Sequence, residues 1–437
     1  MADAAPAGRS GAALAAEFAS AMRRCLDLCR GHDESTTHLF TALSGGPDST
    51  ALACLTRDYA AQHGLRHTAL IVDHRIRDDS TVEARRVAGR MRDIGLDAEI
   101  LTVQDGAPAT GLQAWARGQR YALMLARARR DRGCLLLGHH AGDQAETVMM
   151  RLSRGSGLAG LAGMARVSLR DGVMVLRPLL DMPAAALVDF CAARGLVFEQ
   201  DPSNLDRRFE RVRIRQGLAL MAGRGSAMSD QLARLAGAAR DIDNALLRGL
   251  AGADCLPVIQ PAGFARLPGS IDRLPPTIGA RLLAHVIGQV ARPSPPPSRQ
   301  SLDRLVARLA AKRAATLGGA RVSPDGGDWL VTAEPGRRPP RLHVRAGQRV
   351  VFAGIWDIAS PVDGVVRHLG RAGSGAARDW MQTPGWCALP SLARRAMPVL
   401  ETLDGALIYP HLQTRDMGDN SITNATARFL PLPTYRN

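Results

Sequence analysis

The run Ser44-Gly45-Gly46-Pro47-Asp48-Ser49-Thr50 places two glycines, a proline, a carboxylate and three hydroxyls between the apolar stretches "HLF" and "ALACL". Glycines let backbone N–H groups turn toward an anion and approach it closely. Hydroxyls add donors, and a helix that starts at once presents its positive end. The chemistry that suits Ser44, Gly45, Gly46, Pro47, Asp48 and Ser49 is phosphate binding. Asp48 repels a phosphate unless a cation such as Mg2+ lies between them, which makes it the candidate metal ligand. No Gly-Lys-Ser/Thr follows, so this is not a Walker loop, and no G-x-G-x-x-G marks a dinucleotide fold.

A second constellation is "LGHHAGDQAETVMMRLSRGSG", residues 137–157. Asp143 and Glu146 are three apart and share a helix face. They either complement the helix N-terminus or hold a cationic group of a substrate. His139 and His140 can position a substrate or take a proton; a buried, hydrogen-bonded structural role is equally open to each. A third cluster, "LIVDHRIR", brings Asp73, His74 and Arg77 to the end of a strand. Arg117, Arg120, Arg151 and Arg154 are candidates to stabilise phosphoryl charge or hold RNA phosphate, or else are solvated ion-pair partners. Arg207, Arg208, Arg211, Arg213 and Arg215 crowd one short stretch and read as a nucleic-acid contact or as a charged face paired with Asp206 and Glu210. Trp115 and Tyr121 read as core residues rather than base-stacking platforms.

The elements that position these residues alternate. Strands are expected at "HLFTAL", "HTALIVDH", "AEILTV" and "CLLLGHH", with helices between them and after the last. Ser80 is the expected cap of the helix beginning "STVEARRVAG", with Glu83 three residues on. Four strand–helix alternations with short links predict an α/β fold with a doubly wound parallel sheet. Ligands of such sheets bind at the carboxyl ends of the strands, where all three polar clusters fall. Residues 1–34 read as a helical N-terminal extension, 35–220 as the catalytic nucleotide domain, 221–335 as a helical domain, and 336–437 as a small mixed or β-rich domain with a loose tail.

The bulk numbers set limits. The 437 residues carry a net charge of +15, which points to a polyanionic partner. Of the 56 basic residues only Lys312 is a lysine, a compositional skew that accounts for the choice of arginine but not for the excess of base. No apolar run is long enough to span a bilayer, and the N-terminus lacks the pattern of a secretory signal, so a cytoplasmic location and no membrane are expected. Seven dispersed cysteines without a C-x-x-C argue against a zinc site and against a disulfide framework.

The phosphate loop resembles the S-G-G-x-D-S motif of the PP-loop ATP pyrophosphatase superfamily, whose fold is adenine nucleotide alpha hydrolase-like. Within it, "LGHHAGDQAETVMMRLSRGSG" resembles the run of the tRNA(Ile)-lysidine synthetases. "VDHRIR", "ARGQRY", "RPLL" and "DPSNLDRRFERVRIR" follow in the family's order between about 37 and 216. The resemblance implies that ATP, as co-substrate with Mg2+, adenylates the C2 oxygen of the wobble cytidine in a CAU-anticodon isoleucine tRNA. Free L-lysine then attacks C2 through its ε-amino group and releases AMP. It also implies Asp143 and Glu146 as lysine ligands and Asp48, His139 and His140 as further residues of the reaction centre.

Four departures stand out. Gly142 replaces the first Asp of a usual Asp-Asp pair, Arg75 replaces a common Gly after "VDH", and Gln200 and Val212 replace usual residues. The rival readings are a tRNA thiolase of the same superfamily, which needs paired cysteines or an iron–sulfur cluster, and a non-catalytic RNA-binding protein that keeps the nucleotide fold.

Overall fold

The computed structural model describes residues 11–29, 37–76, 79–108, 110–199, 210–221, 227–252, 257–293, 296–336, 339–370, 384–409 and 426–430. The chain forms two compact units that divide between Asp243 and Asn244.

In the first unit, strands β1 (His38–Ala42), β2 (Arg66–Asp73), β3 (Ala98–Thr102) and β4 (Cys134–Leu136) alternate with helices α2 (Pro47–His63), α3 (Ser80–Asp93), α4 (Leu112–Arg130) and α5 (Ala141–Leu152). A short turn of helix, α6 (Leu158–Leu161), leads to the hairpin β5 (Val167–Arg170) and β6 (Val173–Leu176). Helices α7 (Ala184–Ala193), α8 (Glu210–Met221) and α9 (Ala227–Gly252) follow. The sheet order is β3-β2-β1-β4-β6-β5, parallel throughout except for the antiparallel edge strand β5. The doubly wound parallel sheet expected from the alternation is therefore present.

Side-chain alternation along the strands assigns the two faces. Ala69 and Ile71 of β2 pack with Ala84, Val87, Ala88 and Met91 of α3. Leu70 between them points the other way, joining Phe40, Leu135, Met124 and Leu125 over α4. Helix α1 (Gly11–Cys29) buries Leu14, Phe18, Met22 and Cys25, one stripe at helical spacing. Its Phe18 meets the edge of Tyr59 on α2 at 6.3 Å between ring centroids. The described part of the expected N-terminal extension is thus integral to the first unit's core.

β1 lies between β2 and β4, so the sheet grows first to one side of β1 and then to the other. At such a switch point the loops leaving adjacent strands diverge and open a crevice. The loops here are 43–46, before α2, and 137–140, before α5.

The second unit adds a sheet to the helical domain expected over 221–335. Beside α10 (Pro276–Val290) and α11 (Arg299–Ala310), it holds a five-stranded antiparallel sheet. Its strands are β7 (Val258–Gln260), β8 (Phe264–Leu267), β9 (Ala315–Leu317), β10 (Ala320–Asp325) and β11 (Asp328–Ala333), in the order β7-β8-β11-β10-β9. The physical reason is local: Gly326 and Gly327, at φ 60° and 98°, close the two-residue β10–β11 hairpin. Leu282, Leu283, Val286 and Ile287 of α10 share a core with Val322, Trp329 and Val331 of that sheet. Two smaller antiparallel sheets occupy the rest of the unit, as the β-rich reading of the C-terminal region anticipates. Among the described residues no helix is long and apolar enough to cross a membrane.

Candidate functional site

The phosphate loop is built as a turn into α2. Gly45 holds φ 87°, a left-handed conformation that strains any residue with a Cβ. Gly46 caps the helix without a side-chain bond, and Pro47 occupies the first turn, where its missing N–H costs nothing. Ser49 Oγ donates to Gly46 O at 3.0 Å and accepts from the Ser44 amide at 3.2 Å, while the two hydroxyls meet at 3.2 Å. These bonds hold the loop closed around the start of the helix. The carbonyl of Gly45 accepts from the Glu199 amide at 2.8 Å, which ties the loop to the segment after α7.

Across the crevice, His140 caps α5. Its Nδ1 accepts from the Gly142 amide at 3.0 Å, and Asp143 Oδ2 accepts from the His140 amide at 3.1 Å, a reciprocal capping box. Because Nδ1 is the acceptor, the ring carries its proton on Nε2. That nitrogen faces Asp48 Oδ2 at 3.7 Å and Asp143 Oδ2 at 3.6 Å. The two carboxylates therefore flank one imidazole N–H. Burial, with Asp143 adding to it, raises the Asp48 carboxyl above the usual range against the opposing pull of His140 and Arg215.

Glu146 is 2% exposed. Its Oε1 accepts from Arg215 Nε at 2.6 Å, and its Oε2 is buried with no hydrogen-bond partner among the described residues. Burial raises this carboxyl too, against the Arg215 guanidinium. An anionic oxygen left unsatisfied inside a protein is costly unless something else fills the place. His139 is pushed down to about 4 by burial, with Arg177, Arg117 and Arg211 adding to it and Asp143 opposing. It is a neutral ring near neutral pH.

The remaining expected residues separate. Asp73 is fully engaged: Oδ1 accepts from the Arg75 amide at 3.0 Å and from Ser80 Oγ at 2.8 Å, and Oδ2 accepts from Thr81 Oγ1 at 2.6 Å. Ser80 thus serves Asp73 rather than capping α3, whose cap position is Asp79. His74 has both ring nitrogens buried without partners, and burial lowers its basicity. Arg151 is spent on the carbonyls of Gly160 at 2.9 Å and Gly163 at 2.5 Å, so it holds the turn after α5 and does not stand free for phosphate. Arg154 pairs with Glu210 at 2.6 Å. Arg215 pairs with Glu146 while its side chain stays about half exposed, at 49%. Arg117, Arg120 and Arg213 are exposed, and Arg211 is half-buried. Arg77, Arg207 and Arg208 lie outside the described residues, as does Gln200. Sequence reasoning missed Arg177, 5% exposed after β6; the "RPLL" motif was its only signal.

The arrangement brings a phosphate loop, two flanking carboxylates around an imidazole donor, and an unpaired buried carboxylate oxygen to one crevice. Among the described residues no group of three His, Cys, Asp or Glu side chains is placed to hold a metal ion.

The family model for the PP-loop domain matches residues 17–221. A curated tRNA(Ile)-lysidine synthase of Ruegeria pomeroyi is 35% identical over 79% of this chain and 82% of its own length. Those of a Methylobacterium species and of Rhodopseudomonas palustris are 40% and 38% identical, each over 68% of this chain and 89% and 90% of theirs. Similarity of this degree, carried over most of both chains, makes the protein a member of the tRNA(Ile)-lysidine synthase family, ATP-using PP-loop ligases that form a carbon–nitrogen bond.

Proposed function

We propose that this protein ligates free L-lysine to C2 of the wobble cytidine in the isoleucine tRNA whose anticodon is CAU, through an adenylated cytidine, giving lysidine, AMP and pyrophosphate. The observation that carries this reading is Glu146 Oε2, a buried carboxylate oxygen without a partner beside Asp143 and the phosphate loop. An ammonium group satisfies it as no neutral nucleophile does. The names of the curated relatives support the tRNA substrate.

In this reading the amides and hydroxyls of 44–49 hold the ATP phosphates at the start of α2. The cytosine O2 attacks the α-phosphorus and pyrophosphate leaves. The lysine side chain enters between Asp143 and Glu146. Its ε-ammonium must lose a proton before the nitrogen attacks C2, and Glu146, with its raised carboxyl pKa, is the nearby acceptor. Attack expels AMP. The His140 Nε2–H faces the Asp48 and Asp143 carboxylates at 3.7 and 3.6 Å, so the ring positions them rather than accepting a proton.

Mg2+ fits the residues present. Burial raises the Asp48 carboxyl and the Asp143 charge adds to it, and a divalent cation held by the two carboxylates would offset that cost. With two carboxylates at hand, its remaining ligands come from phosphate oxygens and water. When bound it neutralises phosphate charge during adenylation.

The test is incubation with ATP, Mg2+, labelled lysine and a transcript of the CAU-anticodon isoleucine tRNA, with a methionine tRNA as control. Label in the isoleucine transcript alone, with AMP released, supports the proposal. Tight tRNA binding without label or AMP removes it in favour of a binding protein.

A further inference from the structure

We propose that Arg117, Arg170 and Arg177, gathered around Tyr121, form a binding site for a phosphodiester of the RNA substrate beside the reacting crevice. This rests on the reading of that substrate as an RNA. Arg117 and Tyr121 stand one turn apart on α4, Arg170 ends β5, and Arg177 follows β6. The Arg117 guanidinium lies over the Tyr121 ring at 5.3 Å and that of Arg170 at 4.8 Å. Arg177 lies against the Tyr121 hydroxyl.

Three guanidinium groups thus converge on one phenol. Among the described residues none of the three has a carboxylate within ion-pair distance, unlike Arg57, Arg90, Arg127 and Arg166 of the same unit. Like charges brought together without a counter-charge destabilise the fold unless an anion joins them. Arg177 feels this most. It is 5% exposed, donates from Nη1 to Ala165 O at 2.9 Å and Ser168 Oγ at 3.1 Å, and keeps its Nε buried without a partner. Burial, with Arg170 and Arg117 adding to it, makes its proton easier to lose, against the pull of Tyr121.

The anion is reachable and its source is constrained. Arg117 and Arg170 are exposed, so their free N–H groups can meet the two non-bridging oxygens of a phosphodiester. Arg117 and Arg177 also act electrostatically on His139, the residue before the His140 cap, which places these two arginines near the crevice. A base delivered to that crevice brings its flanking backbone with it, and phosphate contacts set the register of a bound nucleic acid. The ATP phosphates have their own cradle at 44–49.

The experiment measures binding of the isoleucine transcript against salt, and the three KM values, for the full chain and for Arg170→Glu and Arg170→Lys. Arg170 sits at the exposed end of an edge strand, and circular dichroism with urea unfolding establishes that both variants fold. Arg170→Glu is expected to weaken tRNA binding about tenfold, the loss of one charge-assisted contact, and to lower the slope of log K against log salt by about 0.7 to 0.9. ATP and lysine KM stay unchanged, and Arg170→Lys recovers most of the affinity. Wild-type affinity and slope in Arg170→Glu overturn the site. A raised ATP KM with unchanged tRNA binding overturns the RNA source and assigns the cluster to the nucleotide. Wild-type protein that neither binds nor modifies the transcript removes the functional reading and this inference together.

Discussion

His140 Nδ1 accepts the Gly142 amide at 3.0 Å, and a Cβ placed on residue 142 would come within 2.7 Å of the same ring. The imidazole therefore lies where the first side chain of the family's usual Asp-Asp pair begins. Replacing Gly by Ala inside a helix ordinarily stabilises by about 0.5–1 kcal/mol. Here Gly142→Ala is expected to lower the urea midpoint instead, by an equivalent of about 1 kcal/mol, because it evicts the cap. A midpoint raised by the ordinary amount would show that the ring does not depend on the glycine.

The two sides of the crevice should separate kinetically. Glu146→Gln removes the negative charge behind the unpartnered Oε2 and is expected to raise the lysine KM by about tenfold or more while leaving that of ATP near wild type. Asp48→Ala should do the reverse, reducing AMP formation by about a hundredfold or more with a weakened response to Mg2+. Steady-state kinetics with each substrate varied in turn distinguish them. Equal effects of both variants on both constants would dissolve the division of labour.

Arg75 tests a different link, from backbone to stability. It holds φ 50°, a left-handed conformation, where the family commonly has Gly. That conformation costs a side-chain-bearing residue about 1–2 kcal/mol, and glycine gives back up to about 1 kcal/mol through its freer unfolded chain. Arg75→Gly is therefore expected to stabilise by about 0.5 kcal/mol in urea unfolding. Destabilisation would mean that the Arg75 side chain contributes more than its backbone costs.

Much of this was legible in the residues. Strand–helix alternation sufficed for β1 to β4 of the first sheet, but not for the β5–β6 hairpin that completes it, which has no helix between its strands. The phosphate loop and the α5 cluster were legible for the same reason: each follows a strand end. What was hidden depended on distance in sequence or on unusual chemistry. Arg215 and Glu146 are 69 residues apart, and nothing local announces that one arginine among several pairs with that carboxylate. His140 is an uncommon cap, because the preferred caps carry short oxygen-bearing side chains. Ser80 looked like a cap by type and spacing, yet a buried Asp73 at the end of β2 takes its hydroxyl. The strands β7 to β11 are three to six residues long, too short for alternation to outweigh the helical periodicity around them, although "SPDGGDW" does carry the hairpin turn.

The histidines give the protein a directional response to acid. His139 is held at about 4, and His67 is pushed to about 3 by burial with His38 and Arg57 adding to it. In the unfolded chain both titrate near 6.5. Above that value neither state binds these protons, so both histidines contribute their full share of stability. As pH falls below about 6.5 the unfolded chain takes up protons that the fold refuses, and stability declines until the folded pKa is passed. For His139 the loss amounts to about 3 kcal/mol between pH 6.5 and pH 4. Burial sets the depth of the shift; among the charges that face the ring, Asp143 favours a positive form and Arg177, Arg117 and Arg211 oppose it. His139→Gln is therefore expected to flatten the dependence of the urea midpoint on pH across that window while leaving its value near pH 7.5 less affected. A wild-type slope retained in the variant would place the acid sensitivity elsewhere, with His67 the next residue to replace.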